Sequence, residues 1–158
     1  MYSKGDKVVH PMYGAGVIDD IEEKFIDDQT KPYYVLKIPV NDLTVSIGAN
    51  SPQASKMRQV HEKNKLMSII SNAQIRPINP VETWTEVYKD NLDKVKSGKI
   101  EEVASVLKYL SHKERGRSLS TMEKKMMCSA RQIVLSEIIL SCGVQKSEAE
   151  TMLRKSLG

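Results

Sequence analysis

The sequence predicts an α+β protein in which a small, strongly bent β-barrel is followed by a compact all-helical unit. Three observations predict it. Up to Val60, short runs of β-branched and aromatic residues alternate with Gly, Pro, Asn and Asp clusters. The segment Asn72–Pro80 then carries two prolines and no apolar periodicity. Beyond it, apolar residues recur at helical spacing between recognisable starts and stops. The expected organisation is a β-rich unit over 1–72 ending in a short helix, a linker over 73–80 and a helical unit over 81–158.

Taken in order, Lys7–His10 reads as a short strand closed by Pro11, and Met12–Gly16 as a turn with two glycines free to take positive φ. Val17–Ile26 is a longer strand with mixed alternation, and Asp27–Pro32 a polar hairpin loop. Tyr33–Ile38 and Leu43–Ile47 are strands by composition, separated by Pro39–Asp42. Gly48–Ser55 is a loop and Met57–Val60 a last strand, and Glu62–Ser71 is a short helix with Leu66, Ile69 and Ile70 on one side.

In the helical part, Asn79 as cap and Pro80 at the first helical position open a helix striped by Val81, Trp84, Tyr88, Leu92 and Val95. Ser97-Gly98 ends it. Ile100, Val103, Leu107 and Leu110 mark the next helix, which stops in the polar, basic stretch Ser111–Arg117. Ser120–Glu123 is a capping box opening a long helix whose buried stripe is Met122, Met126, Ala130, Ile133, Val134 and Ile138, ended by Gly143. A second box, Ser147–Glu150, opens a final helix through about Lys155.

Composition bounds the function. Hydrophobic residues are 40% and charged residues 28%, the balance of a globular chain, but aromatics are only 5%, so cores must be built from Ile, Val, Leu and Met. Met1–Asp6 has no apolar leader core and no stretch reaches the ~18 apolar residues of a bilayer span, so a cytoplasmic, membrane-free protein is expected. Cys128 and Cys142 on one helix would lie ~21 Å apart at ~1.5 Å per residue, against the roughly 7 Å that a disulfide requires; two reduced thiols are expected.

Catalytic signatures are sparse. His10, His61 and His112 fall in three different elements, without metal-ligand spacing to another His or Cys. Phosphate-binding loops, nucleophile elbows and dinucleotide fingerprints are missing, so no metal, cofactor or enzyme activity is expected. A thiol enzyme using Cys128, flanked by Lys124 and Arg131, is the one catalytic alternative. Asp19, Asp20, Glu22, Glu23, Asp27 and Asp28 lie along a strand and its hairpin, where successive carboxylates point to opposite faces; they read as a charged, solvated edge.

Binding is the better-supported class. The net charge of +4 is mild, but Lys108–Arg131 holds seven basic residues against two acidic ones, which favours an anionic partner. Lys125, Ser129, Gln132 and Ser136 form a polar strip on the long helix, with Lys124 and Arg131 beside it and Lys113, Arg115 and Arg117 in the preceding turn. Side chains of these types contact phosphates, and a helix N-terminus adds free N–H groups. Trp84 is the sole tryptophan. Its spacing suits a core anchor, whereas its place in the first turn of its helix also suits projection past the end of the bundle, as in apolar wedges that enter base steps from the minor groove.

The order of motifs resembles the CarD/CdnL family of bacterial transcription regulators. Lys4–Gly16 is similar to the family's opening, which also resembles the polymerase-interacting domain of transcription-repair coupling factor. Tyr34–Ile38 with Asp42–Val45 is similar to its middle, and Trp84–Leu92, Ser97-Gly98 and Leu119–Met127 running into Ala130–Ile133 to its helical domain.

The resemblance implies a Tudor-like N-terminal domain docking on the RNA polymerase β subunit at its β1 lobe. It implies a helical domain contacting promoter DNA, largely independently of sequence, at the upstream edge of the bubble. There the family's tryptophan, at Trp84, wedges into the minor groove and stabilises the open complex. Lys24 and Ser46 fall where relatives often carry polymerase-contacting arginines; Lys24 keeps the charge, Ser46 does not, and Ile26 and Ile47 lie beside them. Some members carry arginines where this chain has Thr85, Glu86 and Val87. The DNA contacts expected are therefore Trp84, Lys89, Arg117, Lys124, Lys125 and Arg131, in a monomer that associates with the nucleoid through polymerase. The alternative is a protein-binding adaptor that uses the β unit without touching DNA.

Overall fold

A computed structural model describes residues 1–77 and 79–158; the expected linker includes Ile78, which lies outside the described residues. Five strands, β1 (Lys7–His10), β2 (Gly14–Ile26), β3 (Gln29–Ile38), β4 (Leu43–Gly48) and β5 (Arg58–Gln59), form one sheet in the order β4-β3-β2-β1-β5. All pairings are antiparallel, and β5 returns to the free side of β1.

The mixed alternation of β2 has a cause. The register with β3 shifts between Ile18 and Asp20, so Asp19 is a bulge. Ile18 and Ile21 therefore both face the core despite their odd spacing. The hairpin loop is shorter than the polar run suggests. Asp27 and Asp28 both take positive φ, 52° and 60°, which is the conformation of a two-residue hairpin turn, and pairing resumes at Gln29. Pro52–Ser55, expected as loop, forms a helical turn (α1) capped by Ser51.

Five longer helices follow: α2 (Lys63–Ser71), α3 (Trp84–Lys96), α4 (Ile100–Gly116), α5 (Thr121–Cys142) and α6 (Lys146–Leu157). Three boundaries differ from expectation. First, α3 begins at Trp84 rather than Pro80, because Thr83 and Glu86 make a reciprocal capping box that outcompetes the Asn79-Pro80 start. Second, α4 runs through the basic stretch to Gly116, so Lys113 and Arg115 sit on its last turn, where cations suit the helix dipole. Third, α6 starts two residues early, with Gln145 rather than Ser147 in the cap position and no side-chain cap bond. The Ser120–Glu123 box and the left-handed Gly143 stop of α5 stand as read.

One continuous core runs from the sheet (Val8, Ile18, Leu36) through α2 (Leu66, Ile70) into the bundle (Ile100, Leu107, Val134, Ile138). The centre is α5, which packs against β2, α2, α3, α4 and α6. Its stretch Ile133–Ile138 is buried on every side, so the polar strip proposed for this helix ends early: Ser136 is 0% exposed. Met122 in turn leaves the expected buried stripe and is 48% exposed. The short α2 packs on α4, α5 and α6.

Candidate functional site

The sheet and the bundle meet at a polar seam on α5. Glu137 is fully buried and takes both arms of the Arg58 guanidinium, from β5, at 2.7 and 2.9 Å. It also accepts the His61 backbone N–H at 2.9 Å and lies 3.0 Å from His61 Nδ1. Burial alone would raise this carboxyl; the Arg58 guanidinium and the His61 donors overcome it and hold it below the usual carboxylate range. Arg58 Nε donates to Gly98 O at 2.8 Å, tying in the α3–α4 turn. The residue just before Glu137 adds a second tie: Ser136 Oγ accepts from Ala15 N at 2.7 Å. Gly14, at φ +93°, lies so close that a Cβ there would meet Ser136 Oγ at 2.5 Å. Arginine–carboxylate forks of this kind fix geometry as well as distance.

On the sheet, two of the expected polymerase contacts touch each other. Lys24 Nζ donates to Ser46 Oγ at 3.0 Å and lies 4.8 Å from the centre of the Tyr33 ring. Alternation places Ile26 on the same face, at the hairpin tip beside the exposed Phe25. Ile47 is elsewhere. It pairs with buried Tyr34, is 3% exposed and faces the core, because adjacent strand residues point to opposite faces.

At the far end of the bundle, Trp84 is the first residue of α3 and is 46% exposed. Its ring stacks on Tyr88 at 5.1 Å between centroids and 14° between planes. Together they overlie a cavity of about 140 Å³ lined by Asn91, Tyr109, Leu110 and Met126, among others. Glu86 accepts from the Thr83 N–H at 3.2 Å and so works as a cap. Arg76 clasps Glu82 and, at 3.0 Å, Asp90, strapping the segment before α3 onto that helix. Lys113 is paired with nearly buried Glu123 at 2.6 Å. Burial would raise Glu123, but Lys113 and the Ser120 N–H hold it low.

The remaining expected DNA contacts separate into groups. Lys89, Arg117, Lys124 and Lys125 are exposed and Arg131 is half-buried. Lys124 and Arg131, seven residues apart, share one flank of α5. Arg131 lines a groove with Arg115 and Arg154 between α4, α5 and α6. Cys128 is exposed and free. Among the described residues, no group of three or more His, Cys, Asp or Glu is placed to hold a metal ion, and no single helix is long and apolar enough to cross a membrane.

Sequence reasoning missed the Arg58–Glu137–His61 seam, the Thr83 cap and the stacking of Tyr88 on Trp84. Each left a trace. A glutamate inside the apolar run Ile133–Leu140 requires a buried cation, Thr83-x-x-Glu86 is a capping-box pattern, and Tyr88 stands four residues after Trp84.

Comparison with known proteins covers both halves of the chain. Residues 2–61 match the CarD-like/TRCF RID domain and residues 56–154 match the family model described as CarD, C-terminal domain. A Bacillus subtilis (strain 168) protein named "Putative transcription factor YdeB" is 32% identical over 151 residues, spanning 96% of this chain and 99% of the relative. With both domains matched in order and a relative aligned along nearly its full length, the chain belongs to the CarD-like family of transcription factors.

Proposed function

We propose that this transcription factor docks on the β subunit of RNA polymerase, at its β1 lobe, through the sheet face around Lys24, Ile26 and Ser46, and steadies open promoter DNA with the end of the helical bundle that carries Trp84. The observation that carries the reading is the placement of Trp84. A large apolar ring stands half-exposed at a capped helix start, away from the core its spacing suggested. In the proposed complex this ring enters the minor groove at the upstream edge of the bubble. The cost of unstacking a base step, a few kcal/mol, is offset by the ring's burial and by phosphate contacts from Lys89, Lys124, Lys125, Arg117 and Arg131. A bubble held open at its edge reanneals more slowly.

The charge pattern supports division of labour. Lys113 is committed to Glu123, and Thr85, Glu86 and Val87, which follow Trp84, carry no positive charge. Free DNA is then bound weakly, and docking on polymerase supplies the effective concentration that the helical end lacks. The Arg58–Glu137 seam lets one end of the molecule set the position of the other.

The test is co-precipitation of the full chain with the polymerase β subunit. The wild-type chain is expected to be retained, and Lys24→Glu, which reverses the charge facing polymerase while leaving the core intact, to lose most of that retention. Equal retention of the two proteins contradicts the docking face. Retention of the wild type without any change in open-complex lifetime favours the adaptor reading.

A further inference from the structure

We infer that Tyr88 is the positioning residue for Trp84: its ring is the shelf that holds the indole at the orientation from which it engages DNA. The inference rests on the wedge reading above and adds the residue that makes the wedge usable.

Among the described residues, Trp84 has little other support. As the first residue of α3, it has no preceding helical turn to pack against. Val81, on the N-terminal side, is 84% exposed and offers little contact. The indole lines a cavity of about 140 Å³ instead of being packed on all sides. An indole on such a site would sample several rotamers. Tyr88, one turn on, stands on the same face of the helix. Its ring lies 5.1 Å from the indole and only 14° from parallel, and it is itself anchored against the core. Among the described residues this is the one aromatic ring stacked on Trp84.

A wedge has to be rigid before it meets DNA, because rotamer freedom lost on binding subtracts from affinity. The Tyr88 shelf removes that loss in advance. Offset stacking of this kind favours the held orientation by about three- to tenfold, and that factor is the expected gain in productive engagement.

Trp84 is the sole tryptophan, so its fluorescence reports the shelf directly in the full chain. Three proteins are compared: wild type, Tyr88→Phe, which keeps the ring, and Tyr88→Leu, which keeps apolar bulk without it. Wild type and Tyr88→Phe are expected to share emission maximum, anisotropy and acrylamide quenching. Tyr88→Leu is expected to shift to the red, lose anisotropy and quench more readily, with unchanged far-ultraviolet dichroism and polymerase retention. Its open-complex lifetime is expected to fall by about threefold or more, and no further than that of Trp84→Ala, with Tyr88→Phe at the wild-type value. The inference is overturned if Tyr88→Leu leaves the indole as ordered as in wild type, or loosens it without shortening the lifetime. Tyr88→Phe behaving like Tyr88→Leu also overturns it. Equal lifetimes for wild type and Trp84→Ala would instead overturn the wedge reading, and the quenching series distinguishes that failure from failure of the shelf.

Discussion

Arg58 on the last strand and Glu137 in the C-terminal half of the longest described helix meet through two hydrogen bonds of 2.9 and 2.7 Å, with the carboxylate wholly buried. This pair couples the sheet that is proposed to meet polymerase to the bundle that is proposed to meet DNA. A flexible linker alone would let Trp84 roam; a buried fork, the Ser136–Ala15 bond and a shared apolar core fix its distance from Lys24.

Removing one member of a buried ion pair strands the other. Arg58→Ala is therefore expected to destabilise the chain by about 3–5 kcal/mol. The double change Arg58→Met with Glu137→Leu is expected to recover much of that loss, since no buried charge is left without a partner. Urea unfolding midpoints of the three proteins check both statements.

The same carboxylate makes stability depend on acid. Glu137 and Glu123 are both held below the ordinary carboxylate value, so on acidification the unfolded chain takes up protons first. Their contribution is complete above an unfolded pKa of about 4.3 and is lost as pH falls through the lower folded values. Glu137→Gln is expected to be less stable than wild type at pH 7, with the gap narrowing below about pH 4. Unfolding free energies measured at both ends of that range test it, and a gap that stays constant contradicts it.

Lys124 and Lys125 lie exposed at the start of α5 and are proposed to meet phosphates. Each phosphate contact contributes about 0.9 to the slope of log affinity against log salt. Lys124→Gln with Lys125→Gln is expected to reduce that slope by about 2 for the polymerase–regulator complex on fork-junction DNA. An unchanged slope means that the two lysines are only solvated.

Much of the fold was legible in the sequence because its signals are local. The β-then-α order, the Ser120–Glu123 box and the Gly143 stop depend on residues that lie close together in the chain. What was illegible depends on partners far away. Ser136 reads as part of a polar surface strip because nothing near it shows that Ala15 will offer an N–H, and Arg58 reads as one more basic residue until β5 brings it to Glu137, 79 residues on. Ile47 illustrates a different failure. Adjacency to Ser46 along the chain suggested a shared surface, but the pleat turns the two side chains to opposite faces. Trp84 stood between core and surface on periodicity alone. Its exposure follows from a helix start displaced from Pro80 to Trp84 itself, which leaves it at the rim.

The wedge role of Trp84 is tested most directly by the lifetime of open promoter complexes after competitor challenge, measured with polymerase alone, with the wild-type chain and with Trp84→Ala at equal polymerase occupancy. The lifetime is expected to be several-fold longer with the wild-type chain and to return to the polymerase-alone value with Trp84→Ala. Equal lifetimes for wild type and Trp84→Ala would contradict it.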